Sequence, residues 1–254
     1  MRKMGTGPRE AAGPTCRGLL RDFSLMSFLE SFTERLKALE VSAGENYAHE
    51  VVQHECRVEA LVGDFTEALG LPAPERRDAR LASRFHDIGK LRIPERILLK
   101  PSSLDPAERD LIEAHGLLGA DILAESGLVL PDGFEEAVRY HHERWDGLGY
   151  EGLSGTDIPY VSRLLSIVDV YDALTAERVY RRAMSEGETL RHMIAQSDGV
   201  TANCFDPLIF RQFLEWRRDV SSTLRPADLL DLRAFLARGR PGLDEAGLAR
   251  WPRP

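Results

Sequence analysis

Five of the seven histidines in this 254-residue chain share helical spacing with apolar residues and carboxylates. His54 follows Val51 by three residues and precedes Val58 by four, on a stripe that continues through Val62, Phe65 and Leu69, and Glu50 stands one turn before it. His86 and Asp87 are neighbours within FHDIGK; about 100° of helical rotation separates them, so each can reach a different ion or Asp87 can bridge two. His115 follows Leu111 and Ile112 at helical spacing, His141 and His142 follow Val138, and Asp169 comes four residues after Leu165. One such histidine alone reads as a core residue bonded to a backbone carbonyl. Five imidazoles together with Glu50, Asp87 and Asp169 resist that reading, because so many inward polar groups are costly without charged partners. Bound cations remove the cost.

The donors are all nitrogen and oxygen, which suits iron or manganese, with zinc also compatible, and disfavours a thiolate cluster. They exceed what one ion needs. Two divalent ions are the minimum reading and Glu50 leaves room for a third. Ions a few ångströms apart suit phosphoester hydrolysis, since they generate a nucleophile from water and clamp the attacking and leaving oxygens.

Positioning these residues calls for helices. From Leu25 onward apolar residues recur at helical spacing and no run alternates long enough for a strand, so the expected fold class is all-α, a helical bundle around a polynuclear metal site. The spacing predicts helices over about 45–69, 74–88, from Asp105 through His115, and over 134–143, 159–176, 185–197 and 207–217, with one more in LRPADLLDLRAFLAR. Asp105 is expected as an N-cap with Pro106 at the first helical position. The glycines of RWDGLGYEGLSGTDI, between Arg144 and Ile158, exclude a regular element there. Residues 1–24, rich in Gly, Pro and Arg, read as a disordered tail, 25–44 as a leading helix, 45–220 as the catalytic domain and 221–254 as a C-terminal helix and tail.

A net charge of -8 provides no general basic field for a DNA or RNA duplex. Cys16, Cys56 and Cys204 form no CxxC pair, and no signal or membrane-spanning segment is evident, so a cytoplasmic protein is expected.

HDIGKLRIPERILLKPSSL, HGLLGADIL, HHERWDGLGYEGLSGTDIP and LLSIVDVYDALTAERVYRRAM resemble, in order and spacing, the signature blocks of HD-GYP domains, the HD-superfamily phosphodiesterases of cyclic di-GMP. The resemblance covers about residues 45–216. It implies metal ligands at His54, His86, Asp87, His115, His141, His142 and Asp169, and Glu50 where trinuclear members have a glutamate. It further implies that Lys90 contacts the scissile phosphate and acts with Asp87 in catalysis, and that Tyr150, Arg178 and Arg181 hold the dinucleotide. The expected reaction is hydrolysis to linear pGpG, with GMP after a second cut. Two departures stand out. GYEGL is a residue shorter than the family's GYP-x-GL, so the proline is deleted or replaced, and Val179 stands where many members have proline. About 44 residues precede the core, so no receiver domain is expected ahead of it. An HD-superfamily phosphohydrolase of another cyclic dinucleotide or nucleotide, and a catalytically weak dinucleotide-binding module, are the competing readings. A homodimer or a regulatory protein partner is left open.

Overall fold

The stripe Val51, Val58, Val62 and Phe65 builds the first helix, α1 (Tyr47–Ala68), whose apolar face is buried. The structure is a computed structural model that describes residue 31 and residues 47–177, 182–197 and 203–237. Apart from Ser31, the tail and leading helix expected before α1 lie outside the described residues, as do Arg178, Arg181 and the end of the chain beyond 237. The all-α expectation holds, with no strand among the described residues.

After α1 come α2 (Ala73–Phe85), a 3-10 turn (Ile88–Arg92), α3 (Glu95–Leu98), α4 (Pro106–Glu113), α5 (His115–Glu125) and α6 (Phe134–Arg139). A second 3-10 turn (Gly155–Asp157) lies in the glycine loop, where the sequence allowed no regular element. The series ends with α7 (Tyr160–Thr175), α8 (Glu186–Ala195), α9 (Pro207–Val220) and α10 (Pro226–Ala237). Helix starts follow their capping chemistry. Asp105 accepts the Glu108 N–H at 2.9 Å in a capping box with Pro106 at the first helical position, as the sequence indicated. Ser185 and Glu188 form a second box at α8, and Asp206 accepts from the Leu208 and Ile209 amides at α9.

Three helix ends fall earlier than their stripes suggest. The helix expected over 74–88 stops at Phe85, the one running through His115 breaks after Glu113, and the one expected over 134–143 stops at Arg139. Each break has the same accompaniment. His86 Nδ1 bonds the Ser83 carbonyl at 2.7 Å, His115 Nδ1 the Ile112 carbonyl at 2.7 Å, and His141 Nδ1 the Val138 carbonyl at 2.6 Å. In a continuing helix those oxygens would accept from the amides four residues on, so each imidazole takes over an oxygen released at the helix end.

Two apolar clusters flank the segment carrying these histidines. The larger joins α1, α7, α8, α9 and α10 through Val58, Phe65, Leu165, Leu190, Phe213 and Leu232. Its centre is aromatic, with Phe65 edge-on to Phe213 at 5.3 Å and stacked on Trp216 at 5.2 Å. The smaller packs Val51, Phe85, Ile88, Leu123, Phe134 and Val138. The C-terminal helix α10 belongs to the larger cluster through Leu232 and Leu236. Replacing Phe213, which is fully buried, with alanine is expected to lower unfolding free energy by about 3–5 kcal/mol, read from urea denaturation followed by circular dichroism, because the cavity opens beneath both Phe65 and Tyr171.

Candidate metal centre

The imidazoles from the three helix ends converge. His86, His115 and His141 are all essentially excluded from solvent. Bonding of each Nδ1 to a carbonyl makes Nδ1 the protonated nitrogen in the neutral ring, which leaves a bare lone pair on each Nε2. The Nε2 atoms of His115 and His141 face one another at 3.1 Å. Two acceptors at that distance hold no proton between them unless one ring becomes charged, and burial opposes the charge. His86 Nε2 is buried without a hydrogen-bond partner, 3.6 Å from Asp87 Oδ2 and 3.8 Å from Asp169 Oδ1. Such orphaned, convergent lone pairs fit a divalent cation and fit an apolar core poorly.

Two groups of donor atoms lie each within a 4.8 Å span: His115, His141 and His142 form one, and His54, His86 and Asp87 the other. Asp87 joins them, its Oδ1 3.4 Å from His115 Nε2 and its Oδ2 beside His86. Asp169 reaches His54 Nε2 at 3.0 Å. The expected inward set is therefore assembled for His54, His86, Asp87, His115, His141, His142 and Asp169. Glu50 lies on the α1 backbone one turn before His54, and its side chain lies outside what is described. Neither described cysteine, Cys56 or Cys204, belongs to a cluster.

Close backbone approach makes this possible. A Cβ on Gly89 would lie 1.8 Å from the His115 carbonyl oxygen and 2.6 Å from the Gly119 amide, so only glycine lets the turn bearing Asp87 dock on the start of α5.

The electrostatics divide the site. Burial, reinforced by neighbouring imidazoles, holds His141 well below its ordinary value, burial likewise lowers His115, and burial takes His142 to about 4. These rings are neutral at pH 7, the state a metal ligand needs. Burial also works against a charge on His54, but hydrogen bonds to Asp169 and Asp172 outweigh it and raise the ring to about 9. Burial would raise Asp87, yet Lys90 and the surrounding histidines hold it well below the usual carboxylate range.

Lys90 Nζ donates to Asp87 Oδ2, placing the expected phosphate contact at the edge of the cluster. Tyr150, about half exposed, lays its ring 4.8 Å from His142 and 6.4 Å from His115. Sequence reasoning missed Asp172, whose Oδ2 bonds His54 Nδ1 at 2.7 Å while its two oxygens take Arg57 Nε at 2.7 Å and Nη2 at 2.9 Å. The signal was present: Asp172 is three residues after Asp169, on the same helical face. Two buried glutamates were missed as well. Glu55 has neither carboxyl oxygen bonded, and burial pushes it to about 8. Glu143 follows the histidine pair directly and accepts the Glu151 N–H at 2.6 Å.

The family described as HD domain matches residues 44–202. A cyclic di-GMP phosphodiesterase of Pseudomonas aeruginosa is 35% identical over 71% of this chain and 42% of its own length. A 3'3'-cGAMP-specific phosphodiesterase of Vibrio cholerae is 33% identical over 76% of this chain and 37% of its own. An HDG"Y"P protein from Bdellovibrio bacteriovorus shares the fold at 17% identity, with a TM-score of 0.54 over 74% of this chain and 61% of that one. The chain spans less than two thirds of the length of the first curated relatives it matches, 31%, 59% and 42%. Among the described residues no helix is long and apolar enough to cross a membrane.

The pair of carboxylates on His54 sets a pH dependence. A ring raised to about 9 stays protonated at neutral pH in the metal-free protein, and a cation bound through His54 would have to displace that proton. Metal affinity is therefore expected to rise from pH 6 to about 9 with proton release, measured calorimetrically in buffers of differing ionisation enthalpy. The stability that protonated His54 gives the metal-free protein is fully present below about 6.5, the ordinary histidine value, and is lost as pH rises through about 9. Asp172→Asn should weaken metal affinity roughly 10–100-fold, as loss of an outer partner does.

Proposed function

Because this chain belongs to the HD-domain family, and because its inward lone pairs suit cations, we propose that it is a metal-dependent phosphodiesterase that hydrolyses cyclic di-GMP to pGpG. The observation that carries the reading is the 3.1 Å approach of His115 Nε2 to His141 Nε2 beside the orphaned His86 Nε2. The names of its curated relatives support the substrate class. The proposed ligands are His54, His86, Asp87, His115, His141, His142 and Asp169, with Glu50 completing a third position, for two or three iron or manganese ions. When bound, such ions polarise a phosphoryl oxygen and lower the pKa of water enough to supply a nucleophile at neutral pH.

The chain's own residues do the rest. Asp87, between the two donor groups, holds them in one register. Lys90, at their edge, offsets charge developing on the phosphoryl oxygens, and its present pairing with Asp87 keeps the ammonium aimed at the site. The apolar walls of the two clusters keep bulk water from the carboxylates, which strengthens each charge contact. Tyr150 offers its half-exposed ring as a face for a purine. Arg178 and Arg181, outside the described residues, enter on the sequence motif alone as phosphate or base contacts.

Relatives named for 3'3'-cGAMP favour a second reading, the same chemistry on a different cyclic dinucleotide. Chelator-stripped protein reloaded with Mn(II) or anaerobic Fe(II) should linearise cyclic di-GMP, followed by chromatography, and the stripped protein should not. A faster reaction with 3'3'-cGAMP would transfer the assignment to that substrate, and binding without product would make this a binding module. Asp87→Asn should lower turnover by more than the roughly 10–100-fold that an outer-shell change costs; retained hydrolysis would contradict the assignment.

A further inference from the structure

We propose that Glu151 is a positioning residue that fastens the shortened glycine loop and so sets where Tyr150 stands. The inference rests on the reading above, in which Tyr150 faces the substrate. Glu151 directly follows Tyr150, in the slot that the resembled motif gives to proline.

Its backbone N–H donates to Glu143 Oε1 at 2.6 Å. Glu143 is only 3% exposed and its Oε2 has no partner, so this carboxylate depends on the Glu151 amide for its hydrogen bonding. The Glu151 carboxylate meanwhile receives Arg139 in a forked pair, Nε to Oε1 at 2.9 Å and Nε to Oε2 at 3.0 Å, with Nη2 also on Oε2. Arg139 ends α6 two residues before His141, and Glu143 follows His142. One residue of the loop is thus tied to both sides of the histidine pair.

Between those ties the loop lies flat on the backbone it came from. A Cβ on Gly149 would stand 2.6 Å from Glu143 Cα and 2.7 Å from the Arg144 nitrogen, so the chain preceding Tyr150 has no room to shift inward. The Tyr150 ring is left against His142 at an interplanar angle of 41°.

The two ties differ in weight. The Arg139 pair is partly exposed and screened by solvent, so it contributes little alone. The bond to the buried Glu143 is the stronger constraint, because removing the donor strands a desolvated carboxylate. Proline has no N–H and no carboxylate, and would break both.

The test compares Glu151→Ala, which keeps the amide, with Glu151→Pro, which does not. Metal content, steady-state kinetics with cyclic di-GMP and the rate of tryptic cleavage after Arg144 are measured for each. Glu151→Ala should raise KM only a few-fold. Glu151→Pro should raise KM roughly tenfold or more with kcat within about twofold, bind metal as before, and be cut after Arg144 roughly tenfold faster. Glu143→Ala removes the same bond from its other end without touching the loop backbone and should match the proline variant in both readouts. An unchanged KM and cleavage rate in Glu143→Ala, or a loss confined to kcat or metal content, overturns the inference. If the parent protein does not hydrolyse cyclic di-GMP, the proposed function fails, while faster cleavage of the two variants still upholds the anchoring of the loop.

Discussion

Three histidines close three helices by bonding the carbonyl three residues back, and the rest of the site depends on that contact. It ends α2, α4 and α6 where they meet, and it commits each ring to one tautomer with Nδ1 protonated. The Nε2 lone pairs then have one direction left, toward one another. A buried lone pair without a partner costs a few kcal/mol, and a cation bound at that point would offset the cost through coordination. The sequence that builds the helix ends therefore also builds the cavity's chemistry.

Other features follow from that convergence. Asp87 stands where it touches both donor groups, which requires the turn after His86 to press onto α5, which in turn requires a glycine at position 89. On the opposite side α1 and α7 bring His54 between Asp169 and Asp172, and Arg57 neutralises the outer carboxylate. Burial thus keeps His115, His141 and His142 neutral while the carboxylates beside His54 keep that ring charged. The difference lets the metal-free protein keep its acidic groups paired and would make loading through His54 a proton exchange. The glycine loop closes over the His142 side, bringing an aromatic ring to the edge of the cluster.

Much of this could be read in the amino-acid order. Periodicity gave the helices, the capping chemistry at Asp105 was legible down to its first proline, and glycine density located the loop from Arg144 to Ile158. The inward facing of the histidines came from their offsets to Val51, Ile112 and Val138. The helix ends did not, because apolar spacing continues past Phe85, Glu113 and Arg139 and is silent about a side chain competing for a carbonyl. A bond to a backbone carbonyl, the reading set aside for the five histidines together, does describe Nδ1 of His86, His115 and His141, and it is what frees Nε2. Asp172 and Glu151 were overlooked for different reasons. Asp172 carries a helical-spacing signal, three residues after Asp169, whereas the pairing of Glu151 with Arg139 and Glu143 depends on how the loop folds back, which no local pattern records.

The central claim is that the convergent Nε2 atoms are held by divalent cations. Anomalous diffraction from crystals of protein loaded with iron or manganese, collected on both sides of the metal's absorption edge, tests it most directly. The account predicts peaks among these rings, with Nε2 of His86, His115 and His141 and the Asp87 carboxylate as the groups that would hold the ions. A loaded crystal with no peak among these rings, and with His115 and His141 instead sharing a proton, would contradict it.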